Sequence, residues 1–440
     1  MNKQDDDRKI WGWAIYDWAN SAFATTVMAG FFPVFFKQHW SYGEDTVNST
    51  AVLGLGNSLA SLCVAILAPL IGAVADAGSS KKRFLMVFAY SGALSTALLY
   101  WIPMGKQVWA ICLYGLGVIC FSLANVSYDA LLITVSNMKN RSRISSLGYA
   151  LGYLGGGTLF LCNVLMSLHP HWFGLSSPAE AIKTSFMTVS LWWGGFSLIS
   201  LCWLPSDTAI AFSRWRQTVQ NSIRQLIFTI KQVARHKNTR LFLVCYWCYM
   251  DGVDTIIRMA IDYGLSIGFE SRDLILALLM VQFIGFPAAL AFGSLSRKIG
   301  ERNAIITAIS GYAIATLWGC VMVNKNDFYF LAGMIGCVQG GIQAISRSYF
   351  ARFIPIGQEA GYYGLMNMTG KMAAIAGPAL LACVGLLSRT LLMPANPIPE
   401  QVIQINQLSS RIGMGSLLLL FAAGIIMLSK VKEPTDTRPR

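Results

Sequence analysis

The sequence predicts an all-α membrane protein with twelve transmembrane helices in two halves of six and with both termini in the cytoplasm. Hydrophobic residues make up 55% of its 440 residues and charged residues only 12%, a composition suited to lipid. Crossing a bilayer takes about 20 mostly apolar residues. Twelve stretches meet this requirement, with centres near positions 24, 63, 93, 121, 155, 194, 253, 284, 313, 340, 373 and 419.

The basic residues follow the order of these stretches. Of the 34 Lys and Arg residues, 24 fall in segments on one predicted side and 7 on the other, a bias that places both termini inside. The net charge of +13 is therefore explained by topology, and we expect no nucleic-acid partner. The ten cysteines lie within or at the ends of apolar stretches, which predicts small buried side chains. Cys245 and Cys248 form a lone CxxC without a second ligand pair, so we expect neither a metal nor a cofactor.

The first span contains the run WGWAIYDWANSAF, in which an acid lies about six residues in, or ~9 Å along the helix. An ionised side chain in the bilayer centre costs roughly 2.5–3.5 kcal/mol even on the lenient insertion scale. Asp17, Asn20 and Ser21 are spaced at zero, three and four, which places them on one narrow stripe. We expect this stripe to face protein or water.

Similar segments at corresponding positions of the two halves indicate a duplicated architecture. The second and eighth spans are each followed by a glycine, a polar turn and basic residues, in GAVADAGSSKKRF (72–84) and GSLSRKIGERNA (293–304). The fourth span ends in a polar patch at 127–129, and the tenth in one at 346–349. The glycines at 148–157 are predicted to be a surface for close helix packing.

The longest predicted cytoplasmic connection divides six spans from six. We therefore expect an N-terminal bundle at 1–204, a basic linker at 205–240 and a C-terminal bundle at 241–440. Within the linker, apolar residues recur at steps of four and three, the pattern of an amphipathic helix on an anionic leaflet. We expect the linker only to connect the two halves, and we favour this over a regulatory role. The predicted apolar stripe is Trp215, Val219, Ile223, Leu226, Ile230 and Val233.

The seventh span carries a charged face. Asp251, Asp254, Arg258 and Asp262 lie at offsets zero, three, seven and eleven, within about 80° at 100° per residue. In the eleventh span, Lys371 lies at a depth similar to that of Asp251, and Asn367 precedes it by one turn. These residues are candidates for solute binding or ion coupling. Alternatively, Asp254 and Arg258 form a pair that only neutralises buried charge, and Arg347 in the tenth span extends to the inner surface.

The chain resembles the major facilitator superfamily in its twelve spans, its basic central linker and its GxxxD-then-basic loop, in which Gly72, Asp76, Gly78 and Lys82 fit the superfamily pattern and Ser79-Ser80 depart from it. Within the superfamily it is similar to the vacuole-effluxer family and its bacterial relatives. The blocks that carry this resemblance are YDWANSAF (16–23), FFPVFF (31–36), LGYLGGG (151–157), DGVDTIIRMA (251–260), GGIQAISRSYFARFIP (340–355) and YGLMNMTGKMAAIAGP (363–378).

This resemblance implies a major facilitator fold, with two pseudo-symmetric six-helix bundles around a central cavity, and secondary transport by alternating access. Fungal vacuolar members are associated with amino-acid efflux. We therefore expect a transporter of a small polar solute, an amino acid first, coupled to protons or another ion. The candidate solute-binding or coupling residues are Asp17, Asn20, Asp251, Asp254, Arg258, Asn367 and Lys371, and the candidate cytoplasmic gate is formed by Asp76, Lys82, Arg83, Asp129 and Arg347.

Three alternatives stay open at this point. One is import of a siderophore or another nutrient, and another is a membrane receptor or scaffold that transports nothing. A membrane enzyme is disfavoured because no nucleophile and base occur at a common depth, and all four histidines lie in loops or at helix ends. We expect a monomer that contacts the lipid bilayer of a bacterial inner membrane.

Overall fold

The computed structural model describes residues 3–43, 46–78, 80–207, 215–266, 271–322, 324–394 and 398–432, in which helices dominate and no strand occurs. The α-helices are α1 Lys3–Ala22, α2 Phe32–Phe35, α3 Thr46–Ala77, α4 Lys81–Leu98, α5 Gln107–Val135, α6 Arg141–Leu168, α7 Pro178–Trp203, α8 Trp215–Arg235, α9 Lys237–Ser266, α10 Ser271–Ile299, α11 Glu301–Val321, α12 Lys325–Phe350, α13 Glu359–Leu392, α14 Pro399–Gly415 and α15 Leu417–Ser429.

The twelve predicted spans are confirmed. Among the described residues, eleven helical segments are long and apolar enough to cross a membrane, and α14 with α15 counts as one of them. The twelfth is α9, which is 30 residues long and carries the charged residues of the predicted seventh span. Each of the twelve predicted centres falls inside one of these segments. The cytoplasmic location of the termini stays a prediction.

The first span contains two π-helical segments. After α1 the chain forms a π-helix at Phe23–Phe31, then the short α2, and a second π-helix at Phe36–Trp40. Pro33 lies at the start of α2 and has no backbone N–H to give to the helix. The neighbouring Phe32 N–H bonds to the carbonyl of Val27, five residues back. Wider turns thus accommodate the proline without breaking the span.

The residues group into two compact units, which we call the first unit (1–232 and 354–368) and the second unit (233–353 and 369–440). The division falls inside α13, so that the start of this helix belongs to the first unit. The bundle boundaries expected at 204 and 241 stay a prediction.

The core of the first unit is rich in aromatic side chains. Helix α1 packs against α6 and α7, and α5 packs against α3 and α4. The fully buried Trp193 of α7 lies 5.3 Å from Phe23, ring centre to ring centre. A second cluster joins α3 to α5 through Val64, Ala68, Leu123 and Val126. The aromatic contact joins the first span to α7, and the second cluster joins α3 to α5.

In the second unit, α10 packs against α12, and α9 packs against α15. The buried Tyr249 hydroxyl of α9 and the Ser346 hydroxyl of α12 form a hydrogen bond of 2.6 Å. Gly424 of α15 lets its helix approach Tyr249 closely, since a β-carbon there would lie 3.0 Å from the tyrosine β-carbon. Between α10 and α11, Gly300 has a φ of 84°, which glycine adopts without a steric penalty.

The linker is helical, as predicted, but it is rotated so that the stripe expected to face an anionic leaflet is partly buried. Val233 of this stripe is buried together with Ser222 and Thr229, whereas Ile230 of the same stripe is 47% exposed. The side chains of Trp215, Val219 and Ile223 lie outside the described residues. The rotation follows from polar contacts of Thr229 and Gln232, which apolar periodicity does not report.

Candidate functional site

The carboxylate of the first span is buried beside a tyrosine of α5. Asp17 is 8% exposed, and the Tyr128 hydroxyl donates a 2.9 Å hydrogen bond to its Oδ2. The Trp13 ring stacks on the Tyr128 ring at 4.4 Å and 10°, and the Trp13 indole N–H donates to the Tyr128 carbonyl at 2.8 Å. The hydroxyl is therefore held in one direction, toward the acid.

Glycines of α6 make room for this arrangement. A β-carbon on Gly148 would lie 2.8 Å from the Tyr128 hydroxyl and 2.9 Å from Asp17 Oδ2. One turn further, a β-carbon on Gly152 would lie 2.6 Å from the Ser21 hydroxyl. The glycine run thus packs α6 closely against the polar stripe of α1, as the sequence indicated.

Two amide side chains extend this polar region within the first unit. The Asn20 Nδ2 donates to Asn125 Oδ1 on α5 at 2.8 Å. On the first turns of α13, Asn367 Nδ2 donates to Asp129 Oδ2 at 3.4 Å and to the Tyr363 carbonyl at 3.0 Å. Asn367, a solute-site candidate, therefore contacts Asp129, a gate candidate.

A carboxylate at the end of α3 caps the start of α13. Asp76 accepts the backbone N–H of Ala360 at 3.0 Å and that of Gly361 at 2.7 Å. The Lys81 ammonium lies 3.2 Å from Asp76 and 2.8 Å from Glu359. We call these three side chains the Asp76 cluster.

The Asp76 cluster has the chemistry of a helix N-cap supplied by another helix. The first N–H groups of α13 have no partner within their own helix, and a negative charge is stabilised at this end by the helix dipole. The Asp76 side chain is only 1% exposed. Its contacts hold the end of α3 and the start of α13 together.

The other two predicted gate residues of this loop make different contacts. The backbone N–H groups of Lys82 and Arg83 donate to Asp207 at 3.1 and 2.8 Å, and the Lys82 ammonium donates to the Leu204 carbonyl at 2.9 Å. Asp207 thus caps the start of α4 in the way that Asp76 caps α13. Lys82 therefore contributes through its backbone and its side chain, and Arg83 contacts Asp207 through its backbone.

In the second unit, Asp251 is fully buried. It lies where α9 passes Gly377 of α13: a β-carbon on that glycine would lie 2.9 Å from Asp251 Oδ1 and 2.0 Å from the hydroxyl of the buried Thr255. Asp254 and Lys371 are partly buried. The side chains of Arg258 and Asp262 lie outside the described residues, and so does the predicted pair of Asp254 with Arg258.

Arg347 is 3% exposed near the end of α12. Its neighbour Ser348 donates to Glu301 at the start of α11, and Arg352 forms an ion pair with the same carboxylate. Glu301 is itself buried at 4% exposure. An acid and a base therefore join α11 to the end of α12 within the second unit.

Several partners were missed in the sequence. Tyr128 belongs to a polar patch that the sequence made visible, but its direction toward Asp17 depends on packing. Glu359 lies in the first turn of α13, where acidic residues are enriched, which is a usable signal. No local sequence pattern indicates that Asp207 caps α4 or that Lys81 pairs with both Asp76 and Glu359. Among the described residues, no group of three His, Cys, Asp or Glu side chains could hold a metal ion.

Comparison with known proteins gives consistent matches along the chain. A family model described as "vacuole effluxer Atg22 like" matches residues 5–133 and 133–385. The chain is 32% identical over 427 residues to the "uncharacterized MFS-type transporter YxiO" of Bacillus subtilis strain 168, covering 97% of this chain and 95% of that protein. It is 23% identical to autophagy-related protein 22 of Eremothecium gossypii, covering 86% and 85%.

Solved structures share the fold at low sequence identity. The human organic anion transporter MFSD10 (TETRAN) superposes with a TM-score of 0.69 at 14% identity, covering 97% of this chain and 100% of that chain. The major facilitator superfamily transporter FucP, in the outward conformation, gives a TM-score of 0.65 at 11% identity, covering 98% and 99%. These likenesses bear on the fold alone, and they confirm the predicted fold.

Proposed function

The chain belongs to the Atg22-like vacuole effluxer family of the major facilitator superfamily, and from this premise we propose that it is a secondary active transporter of amino acids that works by alternating access and is coupled to protons. Its relatives are membrane transporters, and that much holds for the chain as a member of the family. The solute, the coupling ion and the mechanism are our proposal.

The observation that carries the proton coupling is the buried Asp17 with its tyrosine donor. A carboxylate inside a membrane segment is costly unless it is paired, and such residues mark proton relays in transporters. The 2.9 Å bond from Tyr128 stabilises the charged form of this acid. Loss of that bond in another conformation would favour uptake of a proton.

For the solute, opposite charges in the second half of the chain suit a zwitterion. We propose that Asp251 and Asp254 bind the ammonium group of the solute, and that Lys371 and Arg258 bind its carboxylate. Charges of both signs at matched depths would recognise both ends of an amino acid.

For alternation between states, we propose that the Asp76 cluster is the cytoplasmic gate. Its bonds to the start of α13 would form in one state and break in the other, since packed elements of this kind are bistable. In this proposal Lys82 and Arg83 anchor the loop through Asp207, while Asp129 and Arg347 stabilise the inner ends of their spans. We further propose a monomer in a bacterial inner membrane; the similarity to a Bacillus protein supports a bacterial source.

Solute release from proteoliposomes tests this function. Vesicles are loaded with a mixture of amino acids and other small metabolites, and the released solutes are identified by mass spectrometry with and without a pH gradient. Selective, gradient-dependent release of a few amino acids is expected, and any selective flux excludes a receptor or scaffold. Absence of selective release from vesicles that contain folded protein would contradict the proposal and favour a larger nutrient such as a siderophore.

Matched variants then test the coupling. Asp17→Asn and Asp251→Asn should lose the dependence on the pH gradient. Asp273→Asn is the control, because this acid pairs with Lys325 at 2.8 Å and has no part in the proposed mechanism. If both first variants keep pH-driven transport, the proton assignment is wrong.

A further inference from the structure

The linker helix α8 has an inner side that is held by hydrogen bonds. The Thr229 hydroxyl donates to Gln358 Oε1 at 3.3 Å, and the Tyr362 hydroxyl donates to Gln232 Oε1 at 3.2 Å. Ser222 and Thr229 are buried on this side. The rotation of the helix about its own axis is therefore fixed, and its opposite side has a defined orientation.

The outer side of α8 combines basic and apolar side chains. Arg224, Lys231 and Arg235 are exposed, and at 100° per residue they fall within about 40° of one another. Phe228 and Ile227 lie on the two edges of this strip, 58% and 49% exposed, and Ile230, 47% exposed, lies further round the helix toward its buried side. We call these six residues the outer face of α8.

The charge of the segment has one sign. Residues 215–235 contain four basic residues and no acidic residue. The start of α9 adds Lys237 and Arg240, which are also exposed. The outer face of α8 therefore has no acid of its own helix to neutralise it.

The chain connections place α8 at a membrane surface. It follows α7, which ends at Trp203, and only His236 separates it from α9. Both neighbours are spans, so the last turn of α8 lies within one residue of a membrane-crossing helix. An amphipathic helix at this level lies where acyl chains meet phosphate groups.

Neither water nor an apolar partner suits the outer face of α8. Water would leave Phe228 and two isoleucines hydrated, whereas an apolar partner would bury three cations without counter-charges. The boundary of an anionic leaflet satisfies both kinds of side chain, because the apolar groups enter the acyl region while the basic groups meet the phosphates.

We propose that the outer face of α8 is a binding surface for anionic phospholipid headgroups of the leaflet that α9 enters. The surface is independent of the proposed solute and coupling ion, so it is testable in protein that transports nothing. It assigns the exposed basic residues of the linker to lipid recognition, where the sequence alone favoured a simple connection between the halves.

Hydrogen–deuterium exchange in nanodiscs tests this proposal without any transport assay. The wild-type protein is placed in phosphatidylcholine alone, or in phosphatidylcholine with phosphatidylglycerol, and exchange is followed in peptides from 224–235. Each basic residue near an anionic surface contributes about a fivefold preference for it, so with three of them exchange should slow at least about tenfold with phosphatidylglycerol. High salt should reverse the effect.

Two charge variants of equal size separate specific binding from a general effect of charge. R224Q/K231Q/R235Q should lose the slowing by phosphatidylglycerol. A control triple variant removes three exposed basic residues from the predicted outer loops, at Lys37, Lys106 and Arg389, and should keep it. Gel filtration checks that both variants fold, and the phosphatidylglycerol that co-purifies per protein, measured by mass spectrometry, should fall only in the first.

Three results would overturn the proposal. The first is equal exchange of 224–235 in the two lipid compositions. The second is full protection in R224Q/K231Q/R235Q. The third is protection that follows the number of protein copies per nanodisc and not the lipid charge, which would assign the outer face of α8 to a second copy of the chain.

Discussion

Replacing Asp76 with asparagine tests the capping of α13 by another helix. Asparagine keeps the shape of the side chain and one carbonyl oxygen, but it loses the negative charge and the second acceptor. One of the two backbone N–H groups, of Ala360 or Gly361, must then lose its partner. The variant therefore weakens the start of α13 without removing side-chain volume.

The structure sets the size of the effect. A hydrogen bond to a charged group contributes roughly 1.5–3 kcal/mol, and a charge at a helix terminus in a partly buried site up to about 2 kcal/mol. Breaking a buried ion pair costs about 3–5 kcal/mol when a charge is left alone. Lys81 keeps Glu359 at 2.8 Å, so the full cost does not apply. We expect local opening at the start of α13 to become about 2–4 kcal/mol easier.

Exchange of backbone amides measures this opening directly. At about 1.4 kcal/mol for each factor of ten, exchange in peptides covering 359–363 should become at least roughly 30-fold faster. Asp207→Asn is the matched control, since Asp207 caps α4 through the N–H groups of Lys82 and Arg83. Because this acid is more exposed, we expect an increase of about fivefold, typical of a surface cap, and only near residues 82–83.

The two variants should therefore affect different helices. If Asp76→Asn left exchange at 359–363 unchanged, the carboxylate would not be what holds the start of α13. If Asp207→Asn accelerated exchange in both helices, the two caps would open together as one unit, and the start of α13 would not depend on Asp76 alone.

Three other variants test the packing of α6, the partner of the first-span acid and the ion pair of the second unit. Gly148→Ala should lower the melting temperature, because overpacking costs about 1–3 kcal/mol. Gly195→Ala, whose new carbon would have nothing within 4 Å, should raise the melting temperature slightly. Equal melting temperatures of the two variants would contradict this prediction. Tyr128→Phe keeps the ring stack but removes the hydroxyl donor to Asp17. Because such a bond contributes roughly 1.5–3 kcal/mol, gradient-driven solute release should fall about tenfold or more. Release at the wild-type rate would contradict the proposed role of the Tyr128 hydroxyl. Glu301→Gln should destabilise the protein by about 1–3 kcal/mol. This is less than the cost of breaking a fully buried ion pair, because Arg352 is partly exposed. Thermal unfolding measures the effect, and an unchanged melting temperature would show that the pair contributes nothing to stability.

The sequence predicted that the polar stripe of α1 faces protein or water, and in the structure it contacts α5 and α6. The sequence could not predict the contact, because Tyr128 lies 111 residues from Asp17 and reaches it only through the stacking of its ring on Trp13. The linker shows the opposite case. Its helix followed from periodicity, but periodicity did not show which side of the helix is buried, because two hydrogen bonds of Thr229 and Gln232 decide it.

By itself the sequence determined how many times the chain crosses the membrane and where, and its motifs pointed to the family. The reason is that crossing depends on apolarity summed over about 20 consecutive residues, and each span satisfies its own backbone hydrogen bonds. Only the tertiary structure decided which polar groups meet. Asp76 finds N–H groups 284 and 285 residues away. Such pairs depend on the rotation of each helix and on which neighbouring helix it packs against. Apolar lipid favours no particular rotation or neighbour, so close packing and hydrogen bonds between helices decide them.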